Sequence, residues 1–393
     1  MGQVKYSILV HYSEIALKKN NRLYFENKFI DNISHHLHDL EHSKIRKISA
    51  RVFVCNINPK KWNLYKKRLM NVMGLKNATL VLETSHDISL LKNCIDILIK
   101  DYDFKSFRIS SRRHYKKYQY TSQKLNNLLG DYVRESTNMK VDLTNPDLNL
   151  IIEVLKDKIY IGYNKIMGFS GLPANSQEKA FSLISSGIDS PVASFEMIKR
   201  GVELDFIHFH SYPAINRQSI DNVKHLIKIL SQYQLKTNLY LVPLLSVQQK
   251  IMMDIQDKYW VIFFRRSMLK LSNDIALNNK GVALITGDSV GQVASQTLSN
   301  IRAISSISEL PVIRPLSGMN KEDIVNKAKI IGTYNVSVKP YEDCCSHFVP
   351  AHPETKAKMF DINRISSNLD LKSEYIEAMD KIEKIKIQFK GKE

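Results

Sequence analysis

Residues 183–193 read LISSGIDSPVA, and this stretch decides the fold of the second half of the chain. An apolar run stops at Ile184, small or polar residues follow, and Pro191 suits the first turn of a helix that Gly201 would end. Ser190 is predicted to cap this helix. A strand that feeds such a loop leaves backbone N–H groups free to bind an anion, but an ordinary βα turn has the same pattern. By itself the stretch leaves both interpretations open.

Asp189 is the unusual member of this loop, because a carboxylate repels phosphate unless a cation lies between them. Its presence indicates either Mg²⁺ that bridges to phosphate or a cap of the following helix. The loop has neither the G-x-x-x-x-G-K-[ST] pattern of P-loop proteins nor the G-x-G-x-x-G pattern of dinucleotide-binding folds.

The residues after the loop alternate regularly between two kinds of element. The stretches AFSLI, LDFIHFH, NLYLVPL and GVALITG predict strands, helices are predicted at 191–200, 219–233 and 321–331, and a long helical region is predicted at about 247–277. A charged, helix-like tail is expected at the end. Strands separated by long helices imply βαβ units in a parallel sheet, whose ligands bind at the carboxyl ends of the strands.

The first half of the chain is predicted to mix short strands with helices. Strands are predicted at KYSILVHYS, at 44–57 as a hairpin-like pair, and at 148–164 as two strands. Apolar residues recur at helical spacing in 20–40, 62–73, 87–102 and 122–136. GFSGLP at 168–173 has the glycine and proline content of a linker.

Composition narrows the class of protein. The chain has 393 residues, 44% of them hydrophobic, so it is long enough for two or three domains with sizeable cores. It has no run of eighteen apolar residues and no signal-peptide pattern, so we expect a cytoplasmic protein without a membrane partner. Its four cysteines are too few for a disulfide framework, and Cys55 and Cys94 read as buried core residues.

The formal net charge of +18 favours a polyanionic partner, although a solvated basic surface would give the same total. The charge is locally concentrated, because 105–140 holds nine Lys or Arg against two acidic residues. Arg112, Arg113, Lys116 and Lys117 are predicted to contact RNA phosphates, with Tyr115 or Tyr118 stacking on unpaired bases. The alternative is that these tyrosines pack and the lysines are solvated.

Several ordered blocks resemble the ThiI family of tRNA 4-thiouridine synthetases. The loop is similar to the S-G-G-x-D-S motif of PP-loop ATP pyrophosphatases, with Ser186 in place of the first glycine. The other blocks are YSEIALKKNNRLYFE (12–26), HFHSYP (208–213), ITGDSVGQVASQTLSN (285–300), LPVIRPLSGMNKEDI (310–324) and PYEDCCSHFVPAHP (340–353). If residue 186 needs a positive φ, serine costs roughly 1 kcal/mol and brings a side chain toward phosphate; otherwise it keeps the N–H donor.

The resemblance covers essentially the whole chain and implies an α/β protein of three domains. These are an N-terminal ferredoxin-like α+β domain at 1–59, a THUMP RNA-binding domain at 60–165, and, after a linker at 166–175, a doubly wound parallel-sheet PP-loop ATP pyrophosphatase domain at 176–393. Longer family members carry a C-terminal rhodanese-like domain, which we expect to be absent here.

The resemblance also implies a reaction, in which ATP adenylates the C4 oxygen of uridine 8 in tRNA and sulfur then displaces AMP. Ser185, Gly187, Asp189 and Ser190 would hold the departing pyrophosphate and its Mg²⁺, and Lys321 would neutralise phosphate charge. The adenosine contacts would fall on Leu183, Ile184, His208, Phe209, Arg265, Gly287 and Gln296. Without the resemblance, structural roles are favoured for several of them: His208 and Phe209 in a buried core, Arg265 as a surface charge and Gln296 on a polar helix face.

Cys345 is the candidate for handling the sulfur, either by carrying a persulfide or by resolving one, and only its thiolate would react. The implied partners are the acceptor stem and 3′ end of tRNA, a separate cysteine desulfurase and a second copy of the chain. A second role in sulfur transfer to a carrier protein of thiamine synthesis is also implied. The alternatives are another PP-loop enzyme that acts on a carrier protein and a catalytically idle tRNA-binding protein, which Ser186 would explain.

Overall fold

The structure is a computed structural model, and it describes residues 5–18, 20–48, 50–163, 165–340, 348 and 350–391. The chain divides into two compact units, and the division falls between Leu172 and Pro173. This position lies within the predicted linker stretch GFSGLP. The boundaries predicted between the N-terminal domains remain a prediction.

The first unit is built on one mixed sheet with the strand order β2-β3-β1-β4-β8-β7-β5-β6, in which β9 also pairs with β4. Its strands are β1 (Lys5–Tyr12), β2 (Lys44–Ile48), β3 (Arg51–Cys55), β4 (Leu75–Thr84), β5 (Ser106–Arg113), β6 (Lys140–Val141), β7 (Leu148–Val154), β8 (Ile159–Gly162) and β9 (Lys165–Met167). Its helices are α1 (Arg22–His36), α2 (Trp62–Met70), α3 (Ile88–Ile99) and α4 (Ser122–Thr137), with 3-10 turns at Glu14–Leu17 and Pro59–Lys61.

Strand β4 joins the two halves of this sheet. It pairs antiparallel with β1 over most of its length and with β8 through Leu82–Thr84. In one hydrophobic core, α1 and α2 pack against β1, β3 and β4. In a second core, α3 and α4 pack against β5, β7 and β8. Cys55 and Cys94 are buried, as the sequence predicts.

The second unit is a parallel sheet with the order β14-β13-β10-β11-β12-β15, in which β15 alone runs antiparallel. Its strands are β10 (Lys179–Leu183), β11 (Glu203–His210), β12 (Lys236–Pro243), β13 (Leu284–Ile285), β14 (Val312–Ile313) and β15 (Glu383–Gln388). Its helices are α5 (Asp189–Lys199), α6 (Gln218–Gln234), α7 (Leu245–Asp254), α8 (Trp260–Asn278), α9 (Leu298–Ser305), α10 (Lys321–Ile330), α11 (Tyr334–Ser337), α12 (Met359–Asn368) and α13 (Lys372–Asp380), with 3-10 turns at Asp257–Tyr259 and Ala294–Gln296.

The order of the strands places a topological switch point between β10 and β13. From β10 the chain moves outward through β11 and β12, and it then returns to place β13 and β14 on the other side of β10. Helices cover both faces of the sheet, which confirms the predicted doubly wound fold. In such a sheet a crevice opens where the strand order reverses, so the carboxyl ends of β10 and β13 are the expected ligand site.

The helical region predicted over 247–277 is confirmed and contains two helices, because Ile255 takes an extended backbone conformation after α7 and a 3-10 turn precedes α8. The prediction of a helical tail is wrong. The tail does not stay helical after α13. Ile385 and Ile387 alternate with Lys384 and Lys386, a period of two that suits an edge strand whose lysines discourage further pairing.

None of the described helices combines the length and the apolar composition that crossing a bilayer requires.

Candidate active site

The loop after β10 is closed by the hydroxyl of Ser190. This oxygen accepts a hydrogen bond from the Ser185 amide at 2.9 Å and lies 3.2 Å from the Ser185 carbonyl oxygen, to which it donates. Helix α5 begins at Asp189 and its N-cap residue is Ile188, so Ser190 does not cap it as predicted. Gly201 does follow the helix with a φ of +84°, as expected.

Two hydrogen bonds hold the turn of the loop at Gly187. The Ser337 hydroxyl donates to the Gly187 carbonyl oxygen at 3.1 Å, and the Gly187 amide donates to the Ser185 hydroxyl at 3.4 Å. Within the described part of the chain, the amides of Ser186 and Ile188 have no acceptor. Free amides at a helix start are donors that suit a phosphate group.

Ser186 fits its position without strain, because it is not among the residues with positive φ. Its side chain is 0% exposed, and its hydroxyl has no hydrogen-bond partner among the described residues. The side chain is therefore buried in the protein and does not line the cavity beside the loop. The replacement of glycine by serine keeps the amide donor, and the backbone carries no penalty.

We expect Ser186→Gly to leave the affinity for ATP within about twofold of wild type, since the side chain does not face the cavity and φ is not positive. Ser186→Ala should raise the free energy of unfolding by up to about 1 kcal/mol, because it removes a buried hydroxyl that has no partner. Titration calorimetry and chemical denaturation measure the two quantities. A large loss of ATP affinity in the glycine variant would show instead that the hydroxyl contacts the nucleotide.

Asp189 lies at the start of α5 and is held by two side chains that are distant in sequence. Its Oδ1 accepts from Lys321 Nζ at 2.6 Å, and its Oδ2 accepts from Gln292 Nε2 at 3.1 Å. Lys321 is the first residue of α10, where its charge opposes the helix dipole, so a carboxylate partner offsets that cost. The structure thus brings together two of the predicted catalytic residues.

A cavity of about 610 Å³ opens at the switch point, between the loop, the carboxyl end of β11 and the residues that follow β13. The predicted residues that line it are Leu183, Ile184, Ser185, Asp189, Ser190, His208, Phe209, Arg265, Gly287 and Gln296. Gly187 and Lys321 do not line it, although Lys321 reaches it through Asp189. Cys345 lies outside the described residues.

His208 lines this cavity, and one of its two ring nitrogens lacks a partner among the described residues. Its ring is 2% exposed, and its Nδ1 lies 2.9 Å from the Ile184 carbonyl oxygen, while Nε2 has no partner among the described residues. Burial lowers the pKa of His208 to about 4, so the ring is neutral near pH 7. Because a carbonyl oxygen only accepts, Nδ1 carries the hydrogen and Nε2 is an acceptor. Such a group fits an N–H donor like the amino group of adenine.

Sequence reasoning missed Asp288 and Arg314, which also line the cavity. Asp288 is 4% exposed and contacts the guanidinium groups of Arg265 and Arg314. Burial opposes ionisation of Asp288, but the neighbouring Arg265 outweighs it, and the pKa of this carboxyl lies below its usual range. The available signal was its position directly after a strand and a glycine, where parallel sheets place functional side chains.

The basic region of the first unit is partly as predicted. The side chain of Arg112 is 68% exposed, and Lys116 and Lys117 are also exposed, so all three are accessible to phosphates. Arg113 donates to the Tyr118 carbonyl oxygen at 3.3 Å. Tyr118 is buried in the core with α3 and α4, so the prediction that it stacks on RNA bases is wrong. Half-buried Tyr115 instead stacks on His86.

Three family models match the chain. The model described as thiamine biosynthesis protein (ThiI) matches residues 175–371, the THUMP domain model matches 87–164, and the ThiI ferredoxin-like domain model matches 7–79. A probable tRNA sulfurtransferase of Thermoanaerobacter sp. (strain X514) is 37% identical, over 96% of this chain and 97% of the relative. Another from Listeria welshimeri is 33% identical, over 97% of this chain and 95% of the relative.

The solved structures that are similar to the chain include the following two. A 4-thiouridine synthetase crystallised with RNA and bound ATP is 32% identical, with a TM-score of 0.88 over 98% of this chain and 100% of that one. PH1313 from Pyrococcus horikoshii Ot3 is 21% identical with a TM-score of 0.62, over 83% of this chain and 99% of that one, and it supports the fold alone. By its profile matches, its relatives and its fold, the chain belongs to the ThiI family.

Proposed function

We propose that the chain is an ATP-dependent tRNA sulfurtransferase that converts uridine 8 of tRNA to 4-thiouridine. The observation that carries the proposal is the cavity at the switch point, where the loop after β10 meets the Asp189–Lys321 pair. The structure of a similar 4-thiouridine synthetase with RNA and ATP supports the substrates. The unstrained Ser186 removes the motive for an idle protein that only binds tRNA.

The chemistry needs a leaving group at C4, because a carbonyl oxygen leaves poorly and AMP leaves well. The O4 oxygen of uridine attacks the α-phosphorus of ATP, and pyrophosphate departs. A sulfur nucleophile then adds at C4, and AMP leaves with the original oxygen. Ser185 and Ser190 shape the loop, whose free amides would hold the pyrophosphate. Lys321 would offset the negative charge of the pyrophosphate. His208 and Phe209 would contact the adenosine.

Mg²⁺ would bind at Asp189. Magnesium in nucleotide sites is held by one or two carboxylates together with the phosphates, and Asp189 is a carboxylate on the cavity wall beside the loop. The described residues contain no group of three or more His, Cys, Asp or Glu side chains arranged to hold a metal by themselves. This donor set fits an ion that arrives with ATP, and the ion would neutralise charge on the phosphates.

The remaining parts of the proposal concern sulfur and partners. Cys345 would handle the sulfur, which a cysteine desulfurase would supply, since only a thiolate can take part in persulfide exchange. Exposed Arg112, Lys116 and Lys117 would contact phosphates near the acceptor stem and 3′ end of tRNA. We further propose a cytoplasmic homodimer, the three-domain boundaries given above, and sulfur transfer to a carrier protein of thiamine synthesis.

The test is a strain that lacks its own enzyme and receives either the wild-type chain or Cys345→Ser. The wild-type chain is expected to restore 4-thiouridine at position 8, as detected by mass spectrometry of digested tRNA. Cells with Cys345→Ser should contain no 4-thiouridine. The purified variant should retain tRNA-dependent exchange of pyrophosphate into ATP, because adenylation precedes the sulfur step. Absence of 4-thiouridine with the wild-type chain, despite intact tRNA binding, would refute the enzyme. Loss of exchange in Cys345→Ser would refute the division between the two steps.

A further inference from the structure

One carboxylate and two guanidinium groups form a cluster directly after β13. Asp288 Oδ1 accepts from Arg265 Nη2 and, at 3.4 Å, from Gln296 Nε2. Its Oδ2 accepts from Thr286 Oγ1 at 2.8 Å and from Arg314 Nε at 3.1 Å. Both carboxylate oxygens therefore accept two hydrogen bonds, and one buried side chain links two arginines that are 49 residues apart in sequence (314 − 265).

Each guanidinium group is fixed at a second point as well. Arg265 Nη1 donates to Ser295 Oγ at 3.2 Å, and Arg314 Nη2 donates to Ser305 Oγ at 2.7 Å. Arginine is long and flexible, and it binds anions well when its planar group is already oriented. Asp288 and the two serines supply that orientation at the wall of the cavity.

The cluster has an excess of positive charge. Two arginines against one aspartate leave a net charge of +1 at this wall. The other charged residues that line the cavity are Asp189, which pairs with Lys321, and Lys258 and Glu354, which are opposite in sign. The uncompensated charge thus lies with Arg265 and Arg314, and partial burial strengthens its attraction for an anion.

The cluster is next to the loop that holds phosphate in the proposed function. A Cβ atom added to Gly287 would lie 2.7 Å from the Ser190 backbone nitrogen, so the residue before Asp288 packs directly on the start of α5. An anion in the cavity would therefore have Ser185 and Ser190 on one side and the two arginines on the other.

We propose that Asp288 is a positioning residue that holds Arg265 and Arg314 in place to bind the phosphate chain of ATP. The inference rests on the proposed function for the identity of the nucleotide. Asp288 does not contact the reacting atoms, and it acts through the two arginines. Arg314 thereby becomes a phosphate-binding residue that the sequence did not indicate, and Arg265, which the resemblance implied as an adenosine contact, is assigned to the phosphates instead.

The experiment compares ATP with adenosine, which lacks the phosphates, by titration calorimetry of the full chain without tRNA. Asp288→Asn and Arg314→Gln should each weaken ATP by about tenfold and leave adenosine within about twofold of wild type. The double variant should bind ATP within about twofold of Asp288→Asn, because Arg314 depends on Asp288 for its position and its removal then adds little. Asp274→Asn is the matched control, since it breaks an ion pair of 2.8 Å with Lys270 on the same helix as Arg265.

An equal loss for ATP and adenosine would overturn the proposal, because it would indicate a structural role for the carboxylate. Additive losses in the double variant would overturn it as well. Should Asp288→Asn fail to fold, Arg314→Gln still tests the phosphate contact, since it leaves the buried carboxylate paired with Arg265, and an unchanged affinity for ATP would overturn the proposal. A wild-type chain that binds ATP in this way but forms no 4-thiouridine would refute the proposed function and leave this inference standing.

Discussion

Asp189→Ala should lower the rate of tRNA-dependent exchange of pyrophosphate into ATP by about 10³-fold, equivalent to about 4 kcal/mol of transition-state stabilisation. The carboxylate holds Lys321 Nζ at 2.6 Å and Gln292 Nε2 at 3.1 Å, and it is the proposed ligand of Mg²⁺. Its removal frees the lysine and deprives the metal of its protein ligand, so negative charge on the departing pyrophosphate loses both partners. Exchange of radiolabelled pyrophosphate measures the effect.

Glu196→Ala is the matched control for this change. Glu196 lies on α5, as Asp189 does, and it pairs with Lys327 of α10, the helix that carries Lys321. The control therefore also removes an ion pair between these two helices, but at a position that does not line the cavity. It should cost at most about 1 kcal/mol of stability and leave exchange close to wild type. Equal loss of exchange in both variants would assign Asp189 a role in helix packing only.

The arrangement around Asp189 shows what the sequence alone could predict. The alternation of strands and helices was sufficient to predict the parallel sheet, and with it the edge at which the loop would lie. The contact between Asp189 and Lys321 spans 132 residues, and periodicity carries no information about such a pair. Only the similarity of both segments to one family indicated that the two side chains belong to one site.

Other features depend on tertiary contacts that no local pattern contains. Ser190 is a residue type that often caps helices and precedes Pro191. Its hydroxyl instead forms hydrogen bonds with Ser185, because the loop turns back on itself. Tyr118 lies in a basic stretch that suggested RNA stacking, yet the packing of α3 and α4 buries it. Asp288 became recognisable as the centre of a charged cluster only once Arg265 and Arg314 were brought together from separate segments.

Gly287 illustrates a constraint of shape at the same site. The atoms nearest to an added Cβ would be the Ser190 nitrogen at 2.7 Å, the Ser190 Cα at 2.8 Å and the Asp189 carbonyl carbon at 3.0 Å. All three are backbone atoms of the first turn of α5, so no side-chain rotation can relieve the overlap. Either β13 or the start of α5 must move to accept a methyl group.

Gly287→Ala should therefore weaken ATP binding and pyrophosphate exchange together, with exchange lower by about 10²-fold, because a shift of about 1 Å displaces Asp189 and the loop amides from the phosphates. Gly318→Ala is the control, since no atom lies within 4 Å of the position of its Cβ, and it should retain both activities. Calorimetry gives the affinity and exchange gives the rate. Wild-type values in Gly287→Ala would mean that α5 can yield to a methyl group, and that the close packing of Gly287 on the first turn of α5 does not set the position of the phosphate site.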